Sequence, residues 1–112
     1  MAQEPNLGEF EQIVLLAILR LKDEAYGVSI RAEITQRTGR EPPSGALYTT
    51  LDRLQRKALL RSRMGEPTPE RGGRAKRYYT VTASGIAAIT RAQRAFRNML
   101  AGLTLPGRTR LA

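Results

Sequence analysis

A chain of 112 residues, 41% of them hydrophobic, has the length of one domain and enough apolar content for a core. It contains neither cysteine nor histidine, so it offers no disulfide frame, thiolate nucleophile, zinc-thiolate site or imidazole proton shuttle. No metal site, cofactor or catalytic constellation is therefore expected, and the chain is read as a non-enzyme. The net charge of +9 points instead to a polyanionic partner. That charge is unevenly placed: Met1 to Asp52 is net −3, whereas Arg53 to Ala112 is net +12. A basic surface serving only solubility would be sprinkled along the chain. No run approaches the roughly 18 to 20 apolar residues of a membrane span, and no leader is recognised, so a soluble, cytoplasmic protein is expected.

In chain order, Leu7, Phe10, Val14, Ile18 and Leu21 recur at three- and four-residue steps and predict an amphipathic first helix, with Asn6 as its N-cap. Ile13, Leu15 and Leu16 widen the apolar stripe, so part of this helix, Leu15 included, is assigned to contact with a second chain. Tyr26-Gly27 opens a second short helix carrying Val28, Ile30 and Ile34 and ending near Thr38-Gly39. Pro42-Pro43 blocks continuation, and Ser44 is placed as the N-cap of a third helix from about Gly45 to Lys57. The pair reads as a helix-turn-helix.

On the third helix Leu47, Leu51 and Leu54 share one face, while Thr49, Arg53 and Arg56 lie opposite, flanked by Tyr48, Asp52 and Gln55. Arginine forks match guanine O6 and N7, and threonine suits base edges or the thymine methyl. An ordinary solvated face has the same residue types, and Asp52 is unfavourable near phosphate unless it pairs with Arg56 four residues on or accepts from cytosine N4.

Leu59 to Met64 and Arg77 to Thr82 alternate as two strands around a Gly/Pro-rich loop, Gly65 to Lys76. A hairpin directly after a recognition helix is a wing, and Arg71, Arg74, Lys76 and Arg77 charge its edge for a minor groove or for phosphates. Thr82 then caps a long last helix whose stripe is Ile86, Ile89, Phe96, Met99, Leu100 and Leu103, taken as the dimerisation face. The tail from Thr104 has no periodicity.

The expected fold class is thus mainly α with a small β-hairpin. It comprises a winged helix-turn-helix DNA-binding domain (1–82), a long C-terminal dimerisation helix (83–104) and a flexible tail (105–112).

An ordered set of residues also resembles the PadR family of transcriptional regulators, from about Leu7 to Leu103. It consists of Tyr26-Gly27, Ser44-Gly45-Ala46-Leu47-Tyr48 with Leu51-Asp52-Arg53-Leu54, Ala58-Leu59-Leu60, Gly72-Gly73-Arg74, and Arg77 through Gly85. The resemblance implies that Ser44, Tyr48, Thr49, Thr50 and Arg53 contact DNA from the recognition helix. It implies also that Tyr26 lies near a phosphate, and that Arg74, Lys76 and Arg77 serve the wing. Thr50 is turned towards the core by the helical wheel, and Thr49-Thr50 stands where the family often has a proline, so base preference does not carry over.

Some members release DNA on binding an apolar or phenolic effector between tryptophans. This chain has no tryptophan, and only Phe96 and the Met99-Leu100 pair are left to line an apolar cavity. The expected function is a sequence-specific repressor binding double-stranded DNA as a homodimer on a pseudo-palindromic operator, with half-sites about 10 base pairs apart or a multiple of that. The alternatives are a non-specific DNA- or RNA-binding basic protein and a winged-helix module that binds another protein.

Overall fold

In the computed structural model, which describes residues 6–66 and 75–106, helix α1 spans Glu9–Leu21, α2 Gly27–Thr38, α3 Ser44–Arg56 and α4 Ala83–Leu100. Strands β1 (Leu60–Met64) and β2 (Arg77–Val81) form an antiparallel hairpin in which Leu60 faces Val81 and Met64 faces Arg77. A short 3₁₀ turn, Lys22–Glu24, follows α1. The expected fold class is the observed one.

Local chemistry sets most of the helix ends. The cap of α1 is Gly8 rather than Asn6, because Glu11, three residues inside, reaches back to accept the Gly8 N–H at 2.9 Å. Gly39, in the left-handed region at φ 74°, closes α2. Ser44 is the first residue of α3 and Pro43 its cap, one step earlier than expected, the proline combining its fixed φ of −60° with an extended ψ of 144°. The other end of α3 has no glycine. Ala58 takes φ 63°, and the Leu59 N–H donates to the Leu54 carbonyl at 2.9 Å, closing the helix in the manner usual for glycine. Thr82 caps α4 as expected: its Oγ1 accepts the Gly85 N–H at 3.0 Å while its hydroxyl donates to the Ala58 carbonyl at 2.8 Å.

The core gathers Val14, Leu15 and Ile18 of α1, Ile30 and Ile34 of α2, Leu47, Leu51 and Leu54 of α3, and Leu60, Tyr79 and Val81 of the hairpin. Helix α4 joins it only through its first half, where Gly85, Ala88 and Ile89 are buried. Gly85 is the point of closest approach, for a Cβ there would collide with the Leu59 carbonyl and come within 2.7 Å of Val81 Cγ1.

Three sequence expectations are corrected by this packing. Leu15, assigned to a second chain, is 0% exposed at the centre of its own core, and Ile89 is likewise buried. Neither is free for a partner, because α1 turns the Leu15 face towards the other helices. Thr50, nominated as a DNA contact, is 5% exposed, since it follows the Leu47 and Leu51 face inward. Val28, counted with the apolar face of α2, is exposed at the start of that helix.

Candidate nucleic-acid interface

The segment leading into α2 is held against the wing. The Tyr79 N–H donates to the Ala25 carbonyl at 2.8 Å, and Tyr26 bridges Tyr78 in antiparallel fashion, so Ala25-Tyr26 extends the sheet on the far side of β2. Tyr26 is thereby fixed as the cap of α2 beside the hairpin. Its N–H donates to Ser29 Oγ at 3.0 Å, and that hydroxyl in turn donates to the Glu24 carbonyl at 2.6 Å. Alternation along β2 sends Tyr79 inward and Tyr78 outward. Burial pushes the Tyr79 phenol above its ordinary range, with the neighbouring Arg77 charge opposing the shift.

The outward aromatic rings and the wing cations interleave. The Tyr26 and Tyr78 ring centroids lie 5.5 Å apart at a tilt of 51°. Lys76 Nζ sits 4.4 Å above the Tyr26 ring, and Arg63 Cζ 4.7 Å above the Tyr78 ring. These cation–π contacts hold two long cationic side chains in place at the surface, lowering the entropy lost when an anion arrives. Arg77, also exposed, donates across the hairpin to Ser62 Oγ at 3.1 Å.

Tyr48 completes the arrangement from α3. Its exposed ring lies directly over Gly27, where a Cβ would meet the phenol, and it flanks a cleft of about 340 Å³ with Tyr26, Gly27, Lys76 and Arg77. The cleft thus combines a phenol hydroxyl, two cations and the positive end of the α2 dipole, a set suited to phosphate oxygens. Ser44 and Thr49 are exposed on the same helix as Tyr48. The turn that presents Ser44 is tied by Arg31, whose Nε donates to the Pro42 carbonyl at 2.6 Å.

Of the nominated DNA-contact residues, Tyr26, Tyr48, Lys76 and Arg77 come together, with Ser44 and Thr49 on the adjoining helix face. Thr50 does not join them. Arg53 does not line this cleft; it stays half-exposed further along α3, its Nη1 3.9 Å from Glu11 Oε2 on α1. Arg74 lies outside the described residues. Asp52 pairs with Arg56 at 3.2 Å, the four-residue pairing anticipated.

Sequence reasoning missed Tyr78, Arg63, Glu11 and Lys57. Glu11 did leave a signal, for it stands four residues after Leu7 and three before Val14, inside the apolar stripe. Its carboxylate is 7% exposed and accepts from Lys57 Nζ at 2.9 Å as well as from the Gly8 N–H. Burial alone would raise its pKa, but the Gly8 and Lys57 hydrogen bonds and the Lys57 and Arg53 charges outweigh it and hold the carboxyl below its ordinary value.

Of the dimerisation residues, Ile86, Phe96, Met99 and Leu103 are exposed and Leu100 is half-buried. Phe96 and Met99 are 65% and 77% exposed. Among the described residues no group of histidine, cysteine, aspartate and glutamate is placed to hold a metal ion, and no helix is long and apolar enough to cross a membrane.

Residues 15–91 match the model of the transcriptional regulator PadR-like family. The chain belongs to this family. As a PadR-like protein it is a DNA-binding transcriptional regulator, and the winged fold agrees with that of solved relatives. A PadR family transcription regulator from hypervirulent Clostridium difficile R20291 superposes with TM-score 0.66 at 24% identity, over 80% of this chain and 90% of that one. RosR of H. salinarum gives TM-score 0.68 at 22% identity, over 91% and 84% of the two chains. F93 from STIV, described as a winged-helix DNA-binding protein, gives 0.67 at 19% identity, over 89% and 100%. No curated protein matches this PadR-like chain.

Proposed function

We propose that this PadR-like regulator is a repressor acting as a homodimer on a pseudo-palindromic operator. The N-terminal half of α3 enters a major groove with Ser44, Tyr48 and Thr49, and the wing lies along the neighbouring backbone with Lys76, Arg77 and Arg74. The observation that carries this reading is the convergence of Tyr26, Tyr48, Lys76 and Arg77 on one cleft at the start of α2. A solvated basic surface has no reason to immobilise its cations over aromatic rings or to gather a phenol with them.

The dimer is supported by α4. Its first half is spent on the core, while Phe96, Met99 and Leu103 stay exposed beyond it, an apolar stripe that a second copy would cover. Pairing two such regulators by a two-fold axis places two α3 helices on one face, which is why the operator should be two-fold symmetric. Residues 1–82 then act as the DNA-binding unit, 83–104, helical as far as Leu100, as the dimerisation segment and 105–112 as a tail.

A salt-titrated binding assay on the DNA upstream of the chain's own gene, against scrambled DNA, tests this reading. A two-fold-symmetric footprint with preference surviving at physiological salt is expected. Equal, steeply salt-sensitive binding to both would leave the non-specific basic protein.

A further inference from the structure

The C-terminal end of the recognition helix carries Arg53, Arg56 and Lys57 within five residues, and Lys57 is the one withdrawn from solvent. Arg56 pairs with Asp52 on the surface. Lys57 pairs at 2.9 Å with Glu11, a carboxylate 46 residues away in the chain that lies among the apolar side chains of α1, while the half-exposed Arg53 comes no nearer to it than 3.9 Å. We infer that Glu11 is a positioning residue for DNA specificity: it masks Lys57, so that the outgoing end of α3 offers one cation fewer to the phosphate backbone.

The inference rests on the DNA-binding reading above and deepens it. A recognition helix reads bases with its N-terminal residues, and its far end leaves the groove over the sugar-phosphate backbone. Cations at that end would bind any sequence, because phosphate contacts carry no sequence information. Each would raise affinity for random DNA and steepen the salt dependence of binding by about 0.9 in slope. A carboxylate buried at 2.9 Å from the ammonium suppresses that contribution, whereas an exposed one would be exchanged for phosphate at little cost. The carboxylate is itself fixed, since its other oxygen accepts the Gly8 N–H. With one cation fewer at that end, more of the discrimination falls to the residues around Ser44, Tyr48 and Thr49. A residue serving stability alone would give no such effect on the salt slope.

The test is E11Q, with folding verified by circular dichroism and binding titrated with salt on operator and scrambled DNA. Glutamine keeps the shape and the acceptor for Gly8 but not the charge. Scrambled-DNA binding should tighten several-fold near 50 mM salt, its log–log slope should steepen by about one, and the operator-to-scrambled ratio should fall. E11Q/K57Q should return about one unit of that slope.

K57Q in the native background keeps a donor to Glu11 and should leave the native slope unchanged; this arm stands even where E11Q does not fold. A folded E11Q with the native slope, or a K57Q slope shallower by about one, overturns the inference. If the native protein shows no preference for operator DNA, the failure lies with the proposed function instead.

Discussion

The phenol of Tyr48 rests on the backbone of Gly27, closely enough that any side chain at residue 27 would collide with it. This contact joins α3 to the start of α2 at the mouth of the cleft, and it makes the glycine a condition for where the tyrosine hydroxyl stands.

Gly27→Ala should therefore act on DNA binding through Tyr48. The obstructing atoms are the end of an exposed side chain, so stability should change by less than about 1 kcal/mol. DNA affinity should fall about ten- to a hundredfold, as for loss of one hydrogen bond to a charged group. Tyr48→Ala should do much the same, and the double variant should lose little more than either alone. Full additivity in that double-mutant cycle would show that the two residues act separately.

Lys76 is held over the Tyr26 ring at the cleft. Lys76→Gln should weaken operator and random DNA by a similar factor and reduce the salt slope by about one. A loss confined to operator DNA would mean that Lys76 reads bases.

Gly85→Ala addresses the fold. The added methyl would strike the Leu59 carbonyl and Val81, and backbone yields less easily than a flexible side chain. A loss of about 2 to 3 kcal/mol in denaturant unfolding is expected, as for overpacking at a tight contact. Ala58→Gly should do the opposite, adding about 0.5 to 1 kcal/mol by relieving the left-handed conformation at φ 63°. If Gly85→Ala melts like the native chain, α4 does not approach Leu59 and Val81 as closely as described.

Glu11 couples stability to acid. Its carboxyl is held below the ordinary value in the fold, so the folded state binds the proton less readily than the unfolded chain. The resulting stabilisation is fully present above the unfolded pKa of about 4.3. It is lost as pH falls from there through the depressed folded value. Glu11→Gln should be less stable near neutrality by about 1 kcal/mol and should lose less than the native chain between pH 5 and pH 3. Parallel acid profiles for the two would remove Glu11 from the linkage.

Phe96→Glu places a charge on the exposed stripe of α4, far from the core. Sedimentation should report a monomer, with the far-ultraviolet spectrum of the native protein. A variant that stays dimeric would move the interface elsewhere.

The helices, the hairpin and the winged order of elements were legible in the sequence, as were Tyr26, Tyr48, Lys76 and Arg77 as DNA-facing candidates. These depend on signals that act within a few residues: the three-to-four periodicity of Leu47, Leu51 and Leu54, the stop at Pro42-Pro43, the cap at Thr82, and the alternation of Arg77 to Val81. What the tertiary structure decided concerns residues far apart in the chain. Leu15 and Leu16 are adjacent and equally apolar, yet only the crossing of α1 with the other helices buries the first and leaves the second exposed. Tyr26 meets Tyr78, and Glu11 meets Lys57, because Ala25-Tyr26 pairs with β2 and α1 lies against α3. A helical pattern states which side of an element is apolar. Which neighbour that side meets, and which charge is left to satisfy a buried carboxylate, is fixed only when the elements pack.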